Sequence, residues 1–312
     1  MLSRVASALF WLARSVERSD HAARLLLVTH GYAQELRGVS PAAAGLCWGV
    51  TSRLLGAEPV EASDGRSVFR RLAYDGTFPG SVLGNLRAAR ENARGVRDAL
   101  SSEMWETLNV VYLRVLEEAG SPPSEAAELS LLRRVQSSVH LLQGLRDHTI
   151  SQTDAWHFLR LGQFLERAGC MTRTLAASLA HPALEAAPSA SHAMDPLHLA
   201  MTLRAAAAFE AYSQAEAALS LERVVHFLLL EHTFPRSVEH SLIEADRCLR
   251  ALSGAPESVF HTDAEQICGR LVADLRFAAV EEVLQAGVHE YLQRLLARIW
   301  RLGEAIEHEY FS

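Results

Sequence analysis

The chain has 312 residues, 49% of them apolar and 21% charged, with a formal net charge of −7. That composition excludes a disordered polymer, which has too little apolar content to fold, and it argues against general nucleic-acid binding, which runs on clustered excess basic charge. All 30 basic residues are arginine, so Schiff-base, P-loop and Ser-Lys chemistries, which need an ε-amine, are excluded as well.

Met1-Leu2-Ser3-Arg4 followed by Val5 to Ala13 has a faint signal-peptide character. Arg14, Glu17, Arg18 and Asp20 follow with no turn, so the segment reads as a folded amphipathic helix. At 100° per residue, Phe10, Ala13, His21 and Arg24 fall within about 40° of Glu17, whereas Arg18 points about 100° away. Ala13 is small enough to admit a second helix or a ligand. Arg24 lies two turns from Glu17, roughly 10 Å along the axis, too far for an easy direct bond, so both are expected to meet partners on other helices.

Apolar residues recur at helical spacing almost throughout, and alternating strand patterns are absent at useful length. Breakers cluster at Gly38 to Gly45, Glu58 to Gly65, Asp75 to Gly80, Gly120 to Ser124, His181 to Pro196, Phe234-Pro235 and Ser253 to Glu257. They predict an all-α fold of about ten to twelve helices. In Thr77-Phe78-Pro79-Gly80-Ser81-Val82 the proline is expected at the first helical position, with Thr77 helping to satisfy the open amides. Asn85 to Leu100 is then read as one helix carrying a stripe of Arg87, Arg90, Arg94 and Arg97. The stripe is either a solvated face with Glu91 and Asp98 or an anion- or partner-binding groove.

The second half revisits these features. Thr233-Phe234-Pro235-Arg236-Ser237-Val238 matches the first Thr-Phe-Pro segment at a shift of 156, and Glu166-Arg167 matches Glu17-Arg18 at a shift of 149, with Arg173 on Arg24 and Gly162 on Ala13. The expected architecture is a helical bundle of two tandemly duplicated, diverged multi-helix repeats, about 1–148 and 149–312. The candidate binding residues are Arg18, Arg24, Arg167, Arg173 and the four arginines of the stripe, and Glu17 and Glu166 are the candidate general bases. The structural alternative is a set of buried ion pairs that fix the packing.

Cys47, Cys170, Cys248 and Cys268 sit in apolar stretches, none at metal-ligand spacing from another, and are expected to be reduced core thiols of a cytoplasmic protein. No metal site or cofactor is expected: Glu-x-x-His, His-Glu-x-x-His, Walker and Gly-x-Gly-x-x-Gly patterns are missing. Asp154-x-x-His157 and Asp195-x-x-His198 are present but unremarkable among 14 histidines. The longest apolar run is far short of the ~18 residues that span a bilayer, so no membrane span is expected.

The stretches LSRVASALFWLARSVERSDHAARLL, ARENARGVRDALSSEMWETLN, FLRLGQFLERAGCMTRTL and FPRSV, with the terminal Tyr310-Phe311, resemble the alpha-E family, a bacterial helical domain named for its Glu-Arg motif. The resemblance covers essentially the whole chain as a single domain, 1–312, and one departure is Ala13, where a glycine is expected as at Gly162. It implies an association with circularly permuted ATP-grasp ligases and transglutaminase-like proteases, and so with the making or modifying of peptide or amide bonds. The leading expectation is an accessory or binding subunit of such a system, binding the ligase, a carboxylate- or phosphate-bearing ligand, or both through its Arg/Glu-lined helices, without needing catalysis of its own. The alternatives are an enzyme using Glu17 or Glu166 as base, and a purely structural scaffold.

Overall fold

The computed structural model describes residues 1–37, 41–58, 65–120, 124–179, 196–215, 218–256 and 259–312, the side chains of 41–43 excepted. Breakers expected across 59–64, 121–123 and 181–195 lie outside the described residues, as does Asp195. Among the described residues the chain is all-α, with fourteen α-helices, one 3-10 turn and no strand. None of these helices is long and apolar enough to cross a membrane. The chain divides into two compact units, Met1–Gln163 and Phe164–Ser312.

In unit 1, α1 (Ser3–Arg37) runs 35 residues with no proline and a single glycine, Gly31. It buries Leu9, Phe10, Leu25 and Leu26, because other helices pack around it. Those helices are α2 (Pro41–Leu54), α3 (Gly65–Tyr74), α4 (Val82–Arg94) and α6 (Glu125–Thr149). α5 (Ser102–Gly120) packs on both α4 and α6, so α1, α4, α5 and α6 close a four-helix ring. Leu72, Leu86, Leu108 and Leu132 fill the core at 2% exposure or less. Each such side chain contributes about 1.5–3 kcal/mol on burial. The unit ends in the first turns of α7 (Asp154–Leu179).

In unit 2 the rest of α7 is followed by α8 (Pro196–Ala205), α9 (Phe209–Ala215), α10 (Leu221–Leu229), α11 (Val238–Ser253), α12 (Asp263–Arg276), α13 (Val280–Gln285) and α14 (Val288–Phe311). α12 packs between α11 and α14, and α10 touches α8, α11 and α13. The count exceeds the expected ten to twelve because α9 and α13 are short extra pieces. Ala207 at φ 53 precedes α9, and Gly287 at φ 85 follows α13. A left-handed alanine carries no sequence signal of a break, since the conformation disfavours any residue with a Cβ.

Three local expectations are corrected. α2 begins at Pro41, inside the predicted breaker Gly38 to Gly45, and there the proline does occupy the first helical position. Pro79 and Pro235 do not: each lies in a turn ahead of a serine N-cap, and helix begins at Val82 and Val238. Ser81 Oγ accepts from Gly84 N at 2.8 Å and Ser237 Oγ from His240 N at 3.0 Å, the usual N-cap arrangement. The threonines bond backwards instead. Thr77 N and Oγ1 donate to Asp75 Oδ1 at 2.9 and 2.6 Å, and Thr233 N and Oγ1 donate to Glu231 Oε1 at 3.0 and 2.5 Å. Those threonine bonds hold both carboxyls below their ordinary pKa range. The third correction is that α4 stops at Arg94, with Gly95 as its C-cap, so Arg97 falls in the separate 3-10 turn Arg97–Ala99.

Candidate functional site

Helix α1 brings Glu17 to the interior of unit 1, where it is 1% exposed. Gln143 Nε2, from α6, donates to Glu17 Oε2 at 3.1 Å. Beside the carboxylate is a pocket of about 40 Å³, walled by Leu12, Met104, Leu108, Leu142 and Leu159 and completed on its polar side by Gln143, Arg146 and Gln163. That space takes a few waters or one small group, given roughly 10–15 Å³ per water. Arg146, 5% exposed, is held by two residues. It donates to Gln163 Oε1, and its Nε and Nη2 donate to the Asp147 carboxylate at 2.9 and 3.0 Å. Burial pushes the Asp147 carboxyl up, but Arg146, Arg160 and the Trp156 N–H outweigh it, so the net shift is downward.

The flanking residues of this helix have specific contacts. Arg24 Nη2 donates to Asp20 at 3.1 and 3.3 Å, a part-buried i,i+4 pair, and Arg18 lies over the Trp11 ring at 5.7 Å. A Cβ on Gly162 would sit 2.3 Å from the Phe10 carbonyl oxygen, so the small residue at 162 is where α7 passes against the α1 backbone.

In unit 2 Glu166 is 2% exposed. Arg173, seven residues on, reaches it directly: Nη2 donates to Glu166 Oε1 at 3.3 Å and to Cys170 Sγ at 3.2 Å. The expectation that two helical turns are too far for an easy bond is therefore corrected. Helix side chains tilt toward the N-terminus, so an extended arginine covers the gap. Burial disfavours the Arg173 charge, but Cys170 and Glu166 outweigh it and raise its pKa. Arg167 points elsewhere, as its angle predicts. Its Nη1 donates to the Pro235 carbonyl at 3.2 Å, and its guanidinium lies 5.2 Å from the Phe164 ring centre.

The four stripe arginines are engaged one by one within unit 1. Arg87 donates to the Gly76 carbonyl at 2.8 Å. Arg90 donates to Asn109 Oδ1 at 2.7 Å and to Glu91, and it stacks on Tyr112 at 5.0 Å. Arg94 pairs with Glu91 at 3.3 Å. Arg97 lies 3.9 Å above the Trp105 ring. None of the four lines the pocket beside Glu17.

One cleft was not anticipated. His226, His232, Glu239 and Arg276 border an open space of about 410 Å³ in unit 2. Glu239 is 5% exposed; burial raises its carboxyl pKa, with Arg276 the leading opposing influence. Its only sequence signal was an acid in the first turn of α11. Cys170, Cys248 and Cys268 are buried cysteines outside any disulfide, Cys47 is half-buried, and burial raises the pKa of both Cys47 and Cys268. Among the described residues no group of three or more His, Cys, Asp or Glu could hold a metal ion.

Three curated relatives, one from Mycobacterium bovis and two from Mycobacterium tuberculosis (strains CDC 1551 and H37Rv), are each called an uncharacterized protein. Each is 27% identical over 323 residues, an alignment that takes in 95% of this chain and 35% of the relative. The chain thus spans about a third of the length of these curated relatives. No solved structure matches the chain at a significant level. A family model, described as a predicted alpha-helical domain with a conserved ER motif, matches residues 1–311. With Glu17-Arg18 and Glu166-Arg167 set in two buried helices, the chain belongs to the Alpha-E family.

Proposed function

We propose that this chain is an accessory binding module of a peptide- or amide-bond-forming system built on a circularly permuted ATP-grasp ligase. In this reading it docks the ligase and does no chemistry itself. The observation that carries the reading is the pocket beside Glu17. It sets one buried carboxylate and the carboxamides of Gln143 and Gln163 against apolar walls, a surface suited to one small group of a docked partner or of a peptide. The relatives support it too, because in them the matching region is a third of a longer chain. The like-built turns at Thr77 and Thr233 and the common order of elements support tandem duplication as the origin of the two Glu-Arg helices. The reading has the chain working in the cytoplasm, where ATP is available and thiols such as Cys248 stay reduced.

Co-expression with a circularly permuted ATP-grasp ligase from the same genome tests this. The expected result is a complex that survives size-exclusion chromatography with light scattering, weakened by Glu17→Gln and by the pocket-filling Leu108→Phe. A transglutaminase-like protease serves as the second bait. If wild-type chain associates with neither protein, with or without ATP and Mg²⁺, the docking function is wrong.

A further inference from the structure

A second pocket of unit 1, separate from the one beside Glu17, lies where the last third of α1 meets α2, the start of α3 and the first turn of α6. It offers about 90 Å³, twice the space beside Glu17 and enough for several waters or one small head group. Two of its walls are aromatic. The Trp48 and Phe69 rings meet edge to face at 6.1 Å, and the His30 ring stands against Phe69 at the same separation. A Cβ at Gly65 would fall 2.5 Å from Trp48 Nε1, so glycine there lets the indole lie flush against the start of α3.

Glu128 also lines this pocket. It is 2% exposed, and its Oε1 is buried without a hydrogen-bond partner. Its Oε2 has Arg66 Nη2 at 3.6 Å, an ion pair too long to be a hydrogen bond. The N-terminus of α6 favours negative charge at this position, but it does not account for burying a carboxylate oxygen with no donor, which is costly. Its neighbour Glu125 is already held by His30 Nε2 at 2.8 Å and Gln34 Nε2 at 2.7 Å. The deep carboxylate therefore lacks a donor on Oε1, although the equally unpartnered Tyr74 hydroxyl is near enough for Glu128 to raise its pKa, and the aromatic side chains lining the same pocket favour a cationic ligand. Arg37 and Arg66, both exposed, also line the pocket, and their guanidiniums suit a carboxylate.

We propose that this pocket binds the zwitterionic head of a free amino acid, its ammonium on Glu128 beside the Trp48 and Phe69 rings and its carboxylate at Arg37 and Arg66. The assignment uses none of the residues around Glu17 and stands apart from the docking function.

Titration calorimetry of the full chain with the standard L-amino acids tests it, followed by the Nα-acetyl and C-amide forms of the best binder. At least one amino acid binds with a Kd tighter than about 10 mM, Nα-acetylation abolishes binding, and amidation weakens it about tenfold. Glu128→Gln weakens the amino acid by about tenfold or more, and Arg66→Ala erases the preference for acid over amide. Trp48→Phe removes the ligand-induced change in tryptophan fluorescence. Circular dichroism checks that each variant is folded, and should Glu128→Gln fail to fold, Arg66→Ala and Trp48→Phe decide the matter. The proposal is overturned if no standard amino acid binds the wild type at about 10 mM, if the acetylated form binds equally well, or if folded Glu128→Gln binds as wild type does.

Discussion

In α1 the position four before Arg24 holds Asp20, and in α7 the position four before Arg173 holds Gly169. With an acid one turn away, Arg24 closes the short i,i+4 pair. With no side chain there, Arg173 runs back past Cys170 to Glu166. Among their contacts, Glu17 accepts from the Gln143 amide beside a pocket and Glu166 accepts from the Arg173 guanidinium. The Asp20/Gly169 difference is legible in the sequence, but how far Arg173 reaches along the helix is not. Glu118 illustrates what only three dimensions reveal. Its Oε2 is buried without a hydrogen-bond partner, and burial raises its carboxyl pKa above the ordinary 4.5, with Arg114 and Arg134 opposing. The folded state thus disfavours ionised Glu118 at neutral pH, so Glu118→Gln is expected to raise the melting temperature near neutral pH. The gain should vanish as pH falls below the ordinary value, where the carboxyl is protonated folded or unfolded. Thermal unfolding of both proteins across that range measures it, and an equal difference at all pH values would show that charge is not the cause.

At the scale of elements, the Thr-Phe-Pro turns were legible as paired helix starts but were misassigned in detail. Proline fixes φ equally well in a turn and at a first helical position, and only the serine bonds show that Ser81 and Ser237 are the caps. The acid that organises each turn, Asp75 or Glu231, lies in the same register outside the matched segment and passed unnoticed. Two further contacts belong to the first turn alone. A Cβ at Gly80 would meet the Leu55 carbonyl at 2.0 Å, and one at Gly84 the Phe78 carbonyl at 2.2 Å, where the second segment has Arg236 and His240. The helix crossing at Gly162 makes the same demand, since the atom in the way is the Phe10 backbone carbonyl rather than a flexible side chain. Gly162→Ala should therefore cost about 1–3 kcal/mol, the range for overpacking. Gly144→Ala, in α6 where an added Cβ meets nothing within 4 Å, should be neutral or stabilise by up to about 1 kcal/mol. Urea unfolding of the two variants separates them, and equal midpoints would mean that α7 does not lie this close to α1.

For the molecule as a whole, the helical class and the family were readable from periodicity and from a few phrases spread along the chain. The pockets were not, because each gathers residues from helices far apart in sequence. Glu17 meets Gln143 across 126 positions. The arginine stripe misled for a related reason: Gly95 ends α4, and the groups that engage its arginines, Asn109, Tyr112 and Trp105, come from α5. Those stacked and bonded guanidiniums also bear on how the chain would fare beside an acylating enzyme. A guanidinium stays protonated and is a poor nucleophile, and no side chain here carries a primary amine. Treatment with an N-hydroxysuccinimide ester at neutral pH should leave every arginine unmodified, and a peptide map showing stable acyl adducts on any arginine would contradict this. A module so composed can stand next to an activated acyl group without offering it a lysine on which to form an isopeptide.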